Sequence, residues 1–382
     1  VFSHEEQVVR LTATVPEARP AAYVAGDPCF DRILASTSRR PIYREALGCN
    51  DGTTLIVASS TWRAGSAFGA WPTFLRQLLA ELPVDQYRVA AVLHPHVWHG
   101  HSPHQIRSWL ADCVRAGLIL VPPLEGWRAA LIAADIVVGD HGAVTCYAAA
   151  LDKPVALAAF DQEEVVDGTA VSTMVDLAGT LDRHVTLLPQ LEASNAQWPG
   201  VRDLVSSRPG KAASLLRSLF YQRLGLSEPD TDIAEPLLST AGLHAGTGVQ
   251  AFTVASEVSR GTTIRLTRRR TDVRPTPTGP THLVVHADHP IREHRTNADI
   301  LFTDRSDNLT ALFAQAPGCR IVVSTTTGAT RIRGHERPIR LHGCDPVLAA
   351  SALFTVLSIS DQPPAEMRIV ADGRAYSCSL SN

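Results

Sequence analysis

The chain has 382 residues, 35 Lys and Arg against 38 Asp and Glu, a formal net charge of −3 and a hydrophobic share of 45%. That length suffices for two domains with a core each. The near-balanced charge excludes a nucleic-acid or acidic-membrane binder that works through a global field, and no run of 18 apolar residues offers a membrane span.

No basic-then-apolar leader pattern opens the sequence. The seven cysteines (Cys29, Cys49, Cys113, Cys146, Cys319, Cys344 and Cys378) are scattered and odd in number, with no CxxC pair. Such usage points to a reducing compartment, here the cytoplasm, and away from a zinc ribbon or a disulfide framework. Lys153 and Lys211 are the only lysines beside many arginines, alanines and prolines, the coding bias of a GC-rich, actinobacterial genome. The first residue is Val1, which fits either a GTG start or a fragment.

Residues 1–25 read as the remnant of a preceding domain or a linker, with a strand over Val8 to Val15. Gly26-Asp27-Pro28 is a turn signal, followed by short helical pieces at Phe30 to Ala35 and Ile42 to Leu47. From Thr54 the pattern becomes regular. Strands at Thr54 to Ala58, Tyr87 to Leu93, Leu118 to Val121, Ile136 to Val138 and Val155 to Ala159 alternate with helices at Trp71 to Leu82, Gln105 to Ala116, Trp127 to Ala134, Ala143 to Leu151 and Val171 to Ala178. Repeated βαβ units give a parallel, doubly wound sheet with its ligand crevice beyond the C-terminal strand ends. Lys211 to Leu224 is a closing amphipathic helix, so this Rossmann-like domain covers 26–226.

The polar, acidic stretch within 227–240 reads as a linker. Residues 241–382 then carry short strands at 252–254, 262–267, 282–286, 300–302, 320–324, 367–370 and 375–379, with helices only at 309–314 and 346–357, a smaller α+β domain. Arg268 to Arg270 sit at a turn before the Pro/Thr stretch 275–281, and His282, His286, Asp288, His289 and His294, which have metal-ligand residue types, read as surface and rim.

The chemistry concentrates at the strand ends of the first domain. Ile136 to Val138, the turn through Asp140, His141 and Gly142, and a helix starting at Ala143 make an anion site, because the first helical N–H groups lack partners and the macrodipole favours negative charge. Thr145 lies in the first turn of that helix. Ser60, Thr61 and Arg63 follow the first strand, His94 the second, Leu124 and Glu125 the third, and Asp161 the fifth. Hydroxyls, an Arg and a His around a free helix N-terminus suit a phosphorylated ligand, with His94 as phosphate contact or acid/base group. The His-rich run (His94, His96, His99, His101, His104) contains no carboxylate or thiol, so no metal is assigned to it.

The motif order Gly26-Asp27-Pro28-Cys29-Phe30-Asp31, Thr61-Trp62-Arg63, Leu93-His94-Pro95, Ala134 to Asp140, Lys153-Pro154 and Asp161 to Gly168 resembles the C-terminal, nucleotide-binding half of bacterial CDP-glycerol glycerophosphotransferases, enzymes of teichoic acid and hence cell-wall assembly. It is similar, more loosely, to UDP-N-acetylglucosamine 2-epimerases and other GT-B glycosyltransferases. The match covers about residues 22–225. The resemblance implies a GT-B-type transferase with no permanently bound cofactor. Its substrate would be a CDP- or UDP-linked glycerol or sugar donor, and an N-terminal Rossmann-like half carrying the acceptor site would lie outside this chain. His94 would contact the donor phosphate, the Asp140 turn would hold the pyrophosphate, and the Leu124 to Trp127 loop would lie near the base. Where that family has a Ser-Ser pair, this chain has Gly142 and Ala143. The alternative reading is therefore a non-catalytic or regulatory protein that keeps a degenerate nucleotide-binding fold.

Overall fold

The alternation that begins at Thr54 becomes a six-stranded sheet in the computed structural model, which describes residues 1–381 apart from 234, 260–262, 274–280, 361 and 372. Its strands are β1 (Thr54–Ser60), β2 (Tyr87–Leu93), β3 (Ile119–Leu120), β4 (Ile136–Gly139), β5 (Val155–Leu157) and β6 (Gly179–Thr180), in the order β3-β2-β1-β4-β5-β6. Parallel pairing joins β2 to β3, β1 to β4, β4 to β5 and β5 to β6. This is the doubly wound Rossmann-like arrangement. The order reverses between β1 and β4, where such sheets open their crevice. β1 and β4 are buried along nearly their whole length, as expected of strands covered by helices on both faces.

Two compact units divide the chain. One comprises Val1–Leu75, Arg88–Trp109 and Ile119–Gly246; the other comprises Arg76–Tyr87, Leu110–Leu118 and everything from Thr247 on. The core of the first gathers Leu55, Val57, Ala90, Val92, Val137 and Leu157 from the sheet with Phe30, Ile33, Tyr43 and the Trp127–Ala133 helix.

Several segments depart from the sequence expectation. Val8 to Val15 belongs to a helix, Glu5–Thr14, not a strand: His4 caps it by accepting from Glu6 N, and Glu5 and Glu6 complement its dipole. The His-rich run after β2 is likewise helical, Pro95–His101, with proline at its first position. Part of the expected linker is fixed within the first unit: Tyr43 Oη donates to Leu238 O (2.7 Å), and Leu238 is 3% exposed. The short elements Leu187–Glu192 and Val201–Val205 carried no readable periodicity.

The second unit contains β7 (Ala251–Ser259), β8 (Thr263–Arg270), β9 (Thr281–His286), β10 (Ile300–Thr303), β11 (Ile321–Ser324), β12 (Ala329–Ile332), β13 (Ile339–His342), β14 (Glu366–Ala371) and β15 (Arg374–Ser381). They close into a barrel, β10-β11-β12-β13-β15-β14-β8-β7-β9, so no open sheet edge remains among the described residues of this unit. The Pro346–Leu357 helix packs against β7 to β11, β13 and β14, and nine of its side chains are buried. An all-round apolar helix suits that enclosed position.

Arg268 and Arg270 are strand residues, not turn residues. They share the buried face of β8 with Ile264 and Leu266. Arg268 Nε reaches Asp85 Oδ2 at 3.0 Å, and Arg270 donates to the carbonyls of Leu79, Leu82 and Tyr87. His282 is also not at the surface: it is 3% exposed, its ring lies 4.7 Å from that of Phe354, and burial lowers its pKa to about 4. The Pro/Thr stretch lies outside the described residues except for Thr281.

Candidate functional site

At the β1/β4 reversal, Asp140 organises the loops. Its carboxylate is fully buried and accepts from Thr61 N (2.8 Å), Thr61 Oγ1 (2.9 Å), Ala67 N (2.9 Å), Ser60 Oγ (3.4 Å) and Gly142 N (3.1 Å). Charge-assisted bonds of this kind are worth about 1.5–3 kcal/mol each. They tie the turn after β1 to the turn after β4. Gly142 is required for close approach: a Cβ there would meet Thr61 Cγ2 at 2.6 Å and Asp140 Oδ1 at 3.0 Å. The Ala143–Ala150 helix follows with Gly142 at its N-cap and no side-chain cap, so its first N–H groups face outward as donors.

Next to this helix end lies a cavity of about 410 Å³, within the range of small-ligand sites. Ser60, Thr61, His94, Gly142 and Ala143 supply its polar and backbone lining. Trp62, Trp127 and Tyr147 add aromatic faces, and Val92, Leu93 and Val144 add aliphatic ones. Trp62 stacks on His96 (4.8 Å between centroids), which stacks on His94 (4.9 Å). On another wall Trp127 and Tyr147 lie 6.2 Å apart and 14° from parallel, and Tyr147 continues to Phe30 at 5.7 Å. Tyr147 Oη donates to Asp27 Oδ2 at 2.7 Å; burial, and next the Asp27 charge, push its pKa up, so it stays a neutral phenol.

His94 caps the Pro95–His101 helix through Nδ1, which accepts from His96 N at 3.1 Å. That bond assigns the proton of the neutral ring to Nε2 and leaves Nε2–H as a donor. Burial, and then the neighbouring His96, lower the His94 pKa below 6.5, so the free site holds an uncharged imidazole at neutral pH.

A second cavity, about 360 Å³, shares Ala143 and Tyr147 with the first and is lined also by Glu6, Arg10, Asp27, His141 and Glu164. Here His141 Nε2 lies 2.9 Å from Glu164 Oε2, and Glu164 Oε1 accepts from Arg63 at 2.7 Å. The Arg63 and His141 bonds lower the Glu164 pKa. Both nitrogens of His141 are engaged, since Nδ1 accepts from Asp161 N at 3.3 Å.

No protein-family model and no curated protein matches the chain. Solved structures similar to it include the wall teichoic acid polymerase TagF, at 17% identity and a TM-score of 0.38 over 53% of this chain and 52% of that one. A further TagF structure gives 16% identity and a TM-score of 0.34. A structure described as the basis of EarP-mediated arginine glycosylation of translation elongation factor EF-P gives 13% identity and a TM-score of 0.28, over 53% of this chain and 72% of that one. The matched region spans about half the length of TagF.

Besides Asp140, which ties the two turns together beneath the site, the expected site residues fall in three groups. Ser60, Thr61, His94, Gly142 and Ala143 line the larger cavity. Arg63, His141 and Asp161 lie around the Glu164 cluster; Asp161 caps a short 3-10 turn, accepting from Glu163 N at 3.0 Å. Leu124, Glu125 and Thr145 stand apart from the cavity wall. Leu124 is 68% exposed, Glu125 approaches Arg128 at 3.9 Å, and Thr145 is buried with an unpartnered Oγ1. Trp62, Trp127, Tyr147, Cys29 and Pro123 also line it. A cluster of aromatic residues flanking the strand-end loops was the one sequence signal for them.

Proposed function

We propose that this chain carries the donor site of a GT-B-like transferase whose substrate is a nucleotide-diphosphate-activated glycerol or sugar. The carrying observation is the uncapped N-terminus of the Ala143–Ala150 helix opening beside a cavity walled by Thr61, His94 and two aromatic stacks. The pyrophosphate is held by the helix N–H groups and the His94 Nε2–H donor, which also offset the charge that develops on the leaving nucleotide. The base packs against aromatic faces. The acceptor and the base that activates it lie on a partner half-domain. In the free site both ring nitrogens of His141 are engaged, by Glu164 and by Asp161 N.

The alternative, a regulatory protein with a degenerate nucleotide fold, draws on two features. Gly142 and Ala143 bring no hydroxyl to the helix turn, and the Arg63 guanidinium is paired with Glu164.

Thermal-shift scans with CDP, UDP, GDP, CDP-glycerol and UDP-N-acetylglucosamine test the donor site. A ligand at 100 times its dissociation constant adds about 2.7 kcal/mol, a shift of a few degrees. The expected result is a shift with one nucleotide family that His94→Ala abolishes. No shift with any of the five ligands sinks the donor-site reading.

A further inference from the structure

Where β8 and β9 end, three potential metal ligands converge. Asp272 sits in the 3-10 turn after β8, His289 in the turn after β9, and His294 in the Arg292–Thr296 helix. One donor atom from each lies within 4.8 Å of the others. The side chains of Asp272 and His289 are fully buried. The His294 Nδ1 atom is buried without a hydrogen-bond partner, which leaves its lone pair or proton unmatched.

We propose that Asp272, His289 and His294 form a binding site for a divalent transition metal, Zn²⁺ by its donor set. Two imidazoles and one carboxylate are the borderline-soft set that suits zinc, and three protein ligands leave a fourth position for water or a small ligand. The geometry is already half made. Neighbouring ligand atoms around tetrahedral zinc lie about 3.3 Å apart, and His289 Nε2 is 3.2 Å from Asp272 Oδ2. The His294 ring lies with its centroid 4.9 Å from that of His289, and one of its ring nitrogens is within 4.8 Å of both other ligand atoms.

The surroundings supply an outer shell. Arg115 Nε donates to Asp272 Oδ1 at 2.7 Å, which orients the carboxylate and leaves Oδ2 for the metal. His289 Nδ1 accepts from Ile291 N at 3.2 Å, so without metal the ring proton sits on Nε2 and points at Asp272. Metal on Nε2 moves that proton to Nδ1 and opens the long Ile291 contact. This tautomer switch separates a metal site from a mere hydrogen-bonded tie.

The test is a titration of the chelator-stripped full chain with Co²⁺, whose visible bands report tetrahedral geometry, and with Zn²⁺ followed by histidine nitrogen NMR. One Co²⁺ per chain with tetrahedral bands is expected. Binding weakens more than about 100-fold in folded His294→Gln and persists in a His96→Ala/His99→Ala variant, which removes the competing surface histidines. Zn²⁺ moves the His289 proton from Nε2 to Nδ1. Unaltered binding in His294→Gln, loss confined to the His96/His99 variant, or a His289 tautomer indifferent to Zn²⁺ overturns the proposal; the last also decides the matter if His294→Gln fails to fold.

Discussion

Asp140 is a carboxylate that spends its charge on its own neighbours. Its oxygens are taken by the Ser60, Thr61, Ala67 and Gly142 donors, so it shapes the site while its side chain is closed to ligand. Asp140→Asn places an amide NH₂ among N–H and O–H donors. It is expected to destabilise the fold by about 2–4 kcal/mol, read from the urea midpoint at constant slope, and to abolish nucleotide binding. His94 behaves differently: its pKa is lowered in the free site, and the proposed pyrophosphate would raise it on binding. Nucleotide affinity should therefore rise as pH falls from 8 towards 6, and His94→Gln should flatten that slope in calorimetric titrations. His282 sets an acid limit on the barrel unit. The unfolded chain protonates it near 6.5 and the folded chain only at about 4, so the stability gained from keeping it neutral is complete above 6.5 and is lost as pH falls between those values. The loss is up to about 3 kcal/mol. His282→Leu should remove that part of the acid sensitivity in denaturation curves taken at pH 7, 5.5 and 4.

At the scale of elements, the link from β4 to the Ala143–Ala150 helix depends on an unoccupied volume. A Cβ on Gly139 would stand 2.2 Å from Thr145 Oγ1, so the helix can approach the strand end only over a glycine. Gly139→Ala should cost about 1–3 kcal/mol by overpacking. Adding Thr145→Ala should recover part of that, a coupling visible in a double-mutant cycle. The elements around this link were legible in the sequence because buried parallel strands are short apolar runs separated by Gly, Asp and Pro turns. Thr61, His94, Gly142 and Ala143 were legible as well, since strand-end position alone assigns them. Less legible was whatever depends on long-range contact. The Trp62–His96 and Trp127–Tyr147 stacks join residues from different elements. Arg268 and Arg270 looked like a solvated turn because charge usually means exposure; here the partners that permit burial are Asp85 and the carbonyls of Leu79, Leu82 and Tyr87, far away in sequence. β12 and β13, at four residues each, are too short for alternation to mark them as strands.

The whole molecule is not divided where the composition changes. The second unit includes Arg76–Tyr87 and Leu110–Leu118, which precede most of the first unit's sheet in sequence. A fragment beginning at residue 241 would leave Arg268, Arg270 and Asp272 without the acceptors and the Arg115 donor supplied by those segments. Truncating one partner of a buried charge pair costs about 3–5 kcal/mol. The 241–382 fragment is therefore expected to be unfolded or aggregated by circular dichroism and gel filtration, and a cooperative thermal transition in that fragment would contradict this account. The same interleaving bears on descent. A single genetic crossover near residue 246 would hand a newcomer tail three mismatched buried residues, so exchange of this unit between lineages needs breakpoints around two internal segments as well. The two halves of the gene are bound to be inherited, and to drift, as one.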